Sequence, residues 1–241
     1  MNSEILNGVM QIRTASLDEL RDVDFLCELI AKCGLVTPGM LINDKHPYPK
    51  CMEQFRSPEG FRMCQFPCQL APYLIWLSDK EIKRYMEVGV WMGGTFIFTV
   101  EYLNRFTQIE HADAVDLEFR STCPLGKRWY PFKPHITLTK MNTKSASFSK
   151  YMRTGKYDLV LIDGDHTAQG VRNDFNKVSN ADVRYVGFHD ICDHWNPGVV
   201  AVWNELKCKC DDSHSHEFVE QYKRSDKFTR FGLGILEMQD G

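Results

Sequence analysis

From Glu81 onward, short apolar runs alternate with segments of helical spacing. "RYMEVGV" reads as a strand and "GTFIFTVEYLNRF" as a helix; "DAVDLE" and "HITLTKM" read as strands and "SFSKYMRTGK" as a helix. "YDLVLIDGD" is a strongly apolar strand, followed by the helix "TAQGVRNDFNKVSN", the strand "YVGFHDI" and the helix "GVVAVWNELKCK". "FVEQYKRS" and "FTRFGLGILEMQ" read as closing strands. Strands this apolar are buried on both faces, so the fold class is α/β: a Rossmann-like, doubly wound, mostly parallel sheet with helices on both sides.

Residues 1–80 differ from the rest. "SLDELRDVDFLCELIAKCG" has a serine start, apolar positions at Leu17, Leu20, Val23, Leu26, Leu29 and Ile30, and a stop at Gly34, which predicts one helix. A stretch rich in Pro, Gly and Asn follows, then "CQLAPYLIWLSDKE", a helix buried on its Leu70, Leu74 and Leu77 side. We divide the chain into an N-terminal helical cap over residues 1–80 and a Rossmann-like domain over residues 81–241.

Several function classes lose support on composition. The net charge of −3 has no basic excess for nucleic acid or an anionic membrane. No apolar run is long enough to span a bilayer, and the N-terminus lacks the pattern of a signal peptide. The nine cysteines are odd in number and scattered, which fits reduced thiols in a cytoplasmic setting. Cys64 and Cys68, or Cys208 and Cys210 with His214 and His216, offer a weak zinc spacing; buried or surface thiols are the plainer reading.

In an open α/β sheet, ligands bind beyond the C-terminal strand ends, so three segments draw interest. Glu87, Gly89, Trp91, Gly93, Gly94 and Thr95 form a strand end and glycine turn leading into a helix N-terminus. Asp116 ends the next strand, a little beyond the roughly 20 residues at which such folds place a ribose-binding acid. Asp163, Asp165 and His166 end the third, and His189 and Asp190 end the strand after it. Acids and imidazoles converging there can hold a metal, orient a hydroxyl or take a proton.

The segments "MEVGVWMGGT", "AVDLE", "YDLVLIDGDHTAQGVRNDF" and "YVGFHDI…NPGVVAVWNELK" together resemble the class I S-adenosylmethionine-dependent methyltransferases, specifically the family containing sugar and small-molecule O-methyltransferases with an IDGDH motif. The resemblance implies a cofactor without a pyrophosphate, which explains the missing GxGxxG. It assigns Glu87, Gly89 and the Gly93–Gly94–Thr95 turn to the methionine part and Asp116 to the ribose. Trp91 covers the cofactor or packs, Asn142 and Ser145 lie toward the adenine, and Asp163 stands beside the sulfonium. His189 is the first candidate base, with Asp165 and His166 as alternatives. Asp163 and Asp190, with His189, match positions that hold a divalent cation such as Mg²⁺ in some similar enzymes. Metal dependence stays open, because His189 stands where those enzymes often carry Asp, Glu or Asn.

The acceptor expected from the resemblance is a small-molecule hydroxyl, a sugar or a glycan, with a homodimer left open. A metal-dependent methyltransferase of a phenol and a non-catalytic binding module are the alternatives. Aromatic residues of the first 80 (Tyr48, Phe55, Phe61, Phe66, Tyr73) and the basic loop with Arg120, Lys127 and Arg128 are candidate acceptor contacts, or core.

Overall fold

The computed structural model describes residues 3–35, 60–119, 135–222 and 228–238. Strands β1 (Arg84–Val88), β2 (His111–Asp116), β3 (Ile136–Lys140), β4 (Leu159–Ile162), β5 (Tyr185–His189), β6 (Ser215–Phe218) and β7 (Leu233–Glu237) form one 7-stranded sheet in the order β3-β2-β1-β4-β5-β7-β6. β1 to β5 pair in parallel, and β7 runs antiparallel between β5 and β6. The order reverses beside β1, which opens a crevice at the C-terminal ends of β1 and β4.

Strand side chains alternate between two cores, as the period of two requires. Tyr85, Ala112, Ala114, Leu159, Leu161 and Ile235 face one side; Met86, Val115, Val160, Ile162, Val186 and Phe188 face the other. The second core is closed by α6 (Ala146–Gly155), α7 (Ala168–Ser179) and α8 (Pro197–Lys207), through Phe148, Val171 and Trp203. The first is closed by α4 (Pro67–Ser78) and α5 (Gly94–Leu103), with Leu70, Leu74 and Leu77 fully buried. The N-terminal helices α1 (Ser3–Thr14), α2 (Leu17–Arg21) and α3 (Val23–Lys32) add Ile5, Val9, Leu20, Leu26 and Ile30 to that same core.

The predicted helix from Ser16 is two helices. Ser16 and Glu19 form a capping box for α2, and Asp22 then ends α2 and caps α3 by accepting from the Phe25 N–H at 2.8 Å. The break leaves Leu17 and Val23 exposed. α1, a helix not expected above, carries Ile5, Val9 and Ile12 at helical spacing and buries all three.

The strand expected at "FVEQYKRS" ends at Phe218, where that run begins. β6 is the polar segment Ser215–Phe218, an edge strand held by its ladder to β7 and by Trp203 and Lys207 donating to Glu217. Such an edge has no buried face on both sides, so apolar periodicity misses it. The last strand begins only at Leu233, because Phe231 (φ 56) and Gly232 (φ 93) turn the chain just before it.

Among the described residues no helix is long and apolar enough to cross a membrane. Cys27, Cys33, Cys64, Cys68, Cys192, Cys208 and Cys210 are free. The cysteine–histidine spacings do not come together as metal-ligand groups among the described residues.

Candidate active site

A cavity of about 1350 Å³ opens at the C-terminal edge of the sheet. Its floor is the turn after β1. Gly89 donates to Val115 O at 2.8 Å, and Asp163 N–H donates to Val88 O at 2.8 Å, so the turn is tied to both neighbouring strands. Gly89 has φ 84, and a Cβ there would lie 2.2 Å from Asp163 O. Gly93, at φ 77, forms the left-handed N-cap of α5. Glu87, Gly89, Trp91, Gly94 and Thr95 line the cavity.

Asp116 closes the turn from the side. Its Oδ2 accepts from the N–H groups of Val90 and Trp91, both at 3.0 Å, and Oδ1 accepts from Glu118 N–H at 3.2 Å. The acid thus braces the glycine turn and still faces the cavity. Asn142 also lines it, with Oδ1 accepting from Lys144 N–H at 2.9 Å. Ser145 is employed differently: its hydroxyl caps α6 by accepting from Phe148 N–H, and it is not among the lining residues.

Glu87 is buried and accepts from the Tyr85 hydroxyl at 2.7 Å. Burial raises its pKa from the ordinary 4.5 to about 8, against the lowering effect of that hydroxyl. The fold therefore holds this proton more tightly than the unfolded chain does. The resulting stability is present below about pH 4.5 and is lost as pH rises through about 8. Glu87→Gln should thus gain on the parent by roughly 2–4 kcal/mol between about pH 6 and pH 9. Urea midpoints of both proteins at the two pH values check this; an equal gap at both would remove Glu87 as the titrating group.

Four groups meet at the ends of β4 and β5. Asp163 Oδ1 lies 2.8 Å from His189 Nδ1 and 3.2 Å from His166 Nε2. Asp190 Oδ1 lies 3.3 Å from His189 Nδ1, and Asp190 Oδ2 lies 3.7 Å from His166 Nε2. Asn196 donates to Asp190 Oδ2 at 2.6 Å and orients a residue whose φ is 64.

The two histidines are not equivalent. His189 sits inside the strand end, 5% exposed, with its ring stacked on Phe231. Burial opposes its charge, but Asp163 and then Asp190 outweigh burial and push its pKa up to about 9. A ring held protonated at neutral pH is a poor base, and its Nε2 is cut off from solvent. His166 is 40% exposed, and its pKa is raised through the hydrogen bond to Asp163, against burial. Asp163 itself is held low: the two histidines overcome the effect of its burial. Asp165 is tied to Lys144 Nζ at 2.9 Å and to Thr167 N–H at 2.9 Å, and the Lys144 contact above all lowers its pKa to about 2. That leaves Asp165 a structural brace and a weak base.

One ligand atom from each of Asp163, His166, His189 and Asp190 falls within 4.8 Å of the others. His189 Nε2 and Asp190 Oδ1 are buried without hydrogen-bond partners. Two imidazoles and two carboxylates with unsatisfied atoms are a donor set that fits a divalent cation, which would have to displace the proton of His189 on binding.

Arg62, Asp193, Asn196 and Arg230 also line the cavity and carried no site assignment from sequence; Cys64, considered there only as a zinc ligand, lines it as well. The only signal was for Asp193 and Asn196, which follow the "YVGFHDI" strand end in "CDHWN". Of the aromatics considered for the acceptor, Phe61, Phe66 and Tyr73 are core residues. Tyr48, Phe55, Arg120, Lys127 and Arg128 lie outside the described residues.

Residues 86–191 match the family model of a methyltransferase domain. No curated protein matches the chain. Among solved structures, the O-methyltransferase TomG from Streptomyces achromogenes, in complex with SAM, is 13% identical, with 80% of this chain and 92% of that chain covered at a TM-score of 0.51. The CurJ carbon methyltransferase is 11% identical, covering 70% of this chain and 53% of that chain at 0.51. The methyltransferase domain of bacterial CtHen1 is 9% identical, covering 70% and 97% at 0.51. The chain spans about half the length of the two carbon methyltransferases it matches, at 53% and 52%. The sheet has the α/β fold of these methyltransferase structures, and residues 86–191 carry the match to a methyltransferase domain. Oxygen and carbon methyltransferases both stand among these structures, so the fold does not choose the acceptor atom.

Proposed function

We propose that this chain moves the methyl group of S-adenosylmethionine to a hydroxyl of a sugar or glycan. The observation that carries the reading is the acid–imidazole cluster of Asp163, His166, His189 and Asp190 in the cavity that the glycine turn and Asp116 also line. A carbon acceptor makes different demands; a hydroxyl must lose its proton as the new bond forms, and this cluster supplies the groups for that.

Glu87 and the Gly89–Thr95 turn would hold the cofactor's methionine part, and Asp116 would hold its ribose hydroxyls. The methyl–sulfur bond breaks as the acceptor oxygen attacks in line, and the bonding pair returns to sulfur. The cofactor is already activated, so the protein's task is alignment and proton removal. His166 takes the proton on Nδ1, while Asp163 holds Nε2 and stabilises the cation that forms. Buried His189 keeps Asp163 ionised and fixed. A divalent cation held by Asp163, His166, His189 and Asp190 would supply Lewis acidity and lower the pKa of the acceptor hydroxyl. Asn196 and Asn142 give the cavity wall amide groups suited to a polyol. The scattered free thiols fit a cytoplasmic setting.

Asp116→Ala should weaken S-adenosylmethionine binding by roughly 10- to 100-fold, the worth of hydrogen bonds to an ionised group. Calorimetry reads it directly, and unchanged affinity would take Asp116 out of the ribose role. The function itself is tested by transfer of labelled methyl to a panel of sugars, glycans and phenols, with and without a chelator. Label in sugars alone supports the reading; label in phenols alone overturns it.

A further inference from the structure

We propose that Arg62 binds the α-carboxylate of the cofactor's methionine part, an assignment that rests on the S-adenosylmethionine reading above. Residues 61–65 alternate in burial. Phe61, Met63 and Gln65 are buried, while Arg62 and Cys64 are less buried and line the cavity. The segment is pinned from behind: Phe61 N–H donates to Cys33 O at 2.7 Å and Met63 N–H to Gly34 O at 3.1 Å. It is seated against the first residue of α5, where a Cβ on Gly94 would lie 2.0 Å from Phe61 O and 3.1 Å from Met63 Cγ. Arg62 therefore enters the cavity beside the N-terminus of α5. Its φ of 60 is a left-handed conformation that an arginine seldom adopts.

The charges of the cavity isolate this arginine. Lys144 pairs with Asp165 at 2.9 Å, and Arg230 lies 3.3 Å from Asp193. Arg62 has no carboxylate partner among the described residues, and its Nε is buried without a hydrogen bond. A buried guanidinium nitrogen without a partner calls for an anion. The helix N-terminus beside it favours the same sign of charge.

S-adenosylmethionine carries one carboxylate, at the end remote from the adenine. With the ribose at Asp116 and the sulfonium toward Asp163, the remaining end of the molecule falls over Gly94 and Thr95. That is where Arg62 stands.

The test is calorimetry on the full chain with three ligands: S-adenosylhomocysteine, decarboxylated S-adenosylmethionine and 5′-methylthioadenosine, which lacks the amino-acid part. Arg62→Gly removes the guanidinium and suits the left-handed backbone; Arg62→Lys keeps a charge. We expect Arg62→Gly to weaken S-adenosylhomocysteine by roughly 10- to 100-fold and to leave methylthioadenosine unchanged. Arg62→Lys should recover part of the loss, and the parent should discriminate against the decarboxylated ligand. Unchanged S-adenosylhomocysteine affinity in Arg62→Gly overturns the assignment and leaves the arginine for an anionic acceptor. Equal losses for S-adenosylhomocysteine and methylthioadenosine overturn it as well, since the damage would then be to the cavity. A parent protein that binds none of the three ligands overturns the cofactor reading together with this assignment.

Discussion

Replacing His166 with alanine is expected to lower kcat by roughly 100- to 10,000-fold while cofactor affinity stays where it was. The ring is the exposed histidine of the cluster, so its loss leaves the core intact. Asp163 holds Nε2, and no described residue hydrogen-bonds Nδ1, which leaves that nitrogen for the acceptor proton. A base works only when unprotonated. Because contact with Asp163 raises the His166 pKa above the ordinary 6.5, parent activity should fall as pH drops through a value above 6.5. His166→Ala should lose that limb of the profile. A variant with full activity, or with the same acidic limb, would move the base elsewhere in the cluster.

Gly89→Ala is the second change with a large effect. The backbone there has φ 84, and the added carbon would lie 2.2 Å from Asp163 O and 2.6 Å from Gly164 Cα. Those atoms belong to the backbone of the neighbouring strand end and cannot swing away. Strain and overlap together should cost roughly 2–5 kcal/mol, lowering Tm by roughly 5–15 °C. The cofactor turn and Asp163 would be displaced together, so binding should suffer as well. Gly164→Ala is the control: its Cβ would meet nothing nearer than Val88 Cγ1 at 3.4 Å. Parent-like melting of Gly89→Ala would mean that the β1 turn is not built as described here.

The parallel sheet was legible because its central strands are mostly apolar and end in a turn or a charged group. β4, with four buried residues followed by Asp163, is the clearest case. The convergence of Asp163, His166, His189 and Asp190 followed from strand ends that are neighbours in the sheet. The division of labour within that cluster was not legible. His189 is the last residue of β5, paired with β7 and stacked on Phe231 from the far end of the chain, whereas His166 lies in the turn beyond β4, so one is buried and the other is not. Ser145 looked like a ligand-facing hydroxyl but serves its own helix, a competition that serines often settle locally. Arg62 carried no motif, because its place depends on Gly94 making room for the backbone of residue 61.

The central claim is that the cavity accepts S-adenosylmethionine. Calorimetric titration of the purified protein with S-adenosylmethionine and, separately, with NAD tests it most directly. The account predicts saturable, micromolar-range binding of S-adenosylmethionine and none of NAD. Binding of NAD alone, or of neither, would contradict it.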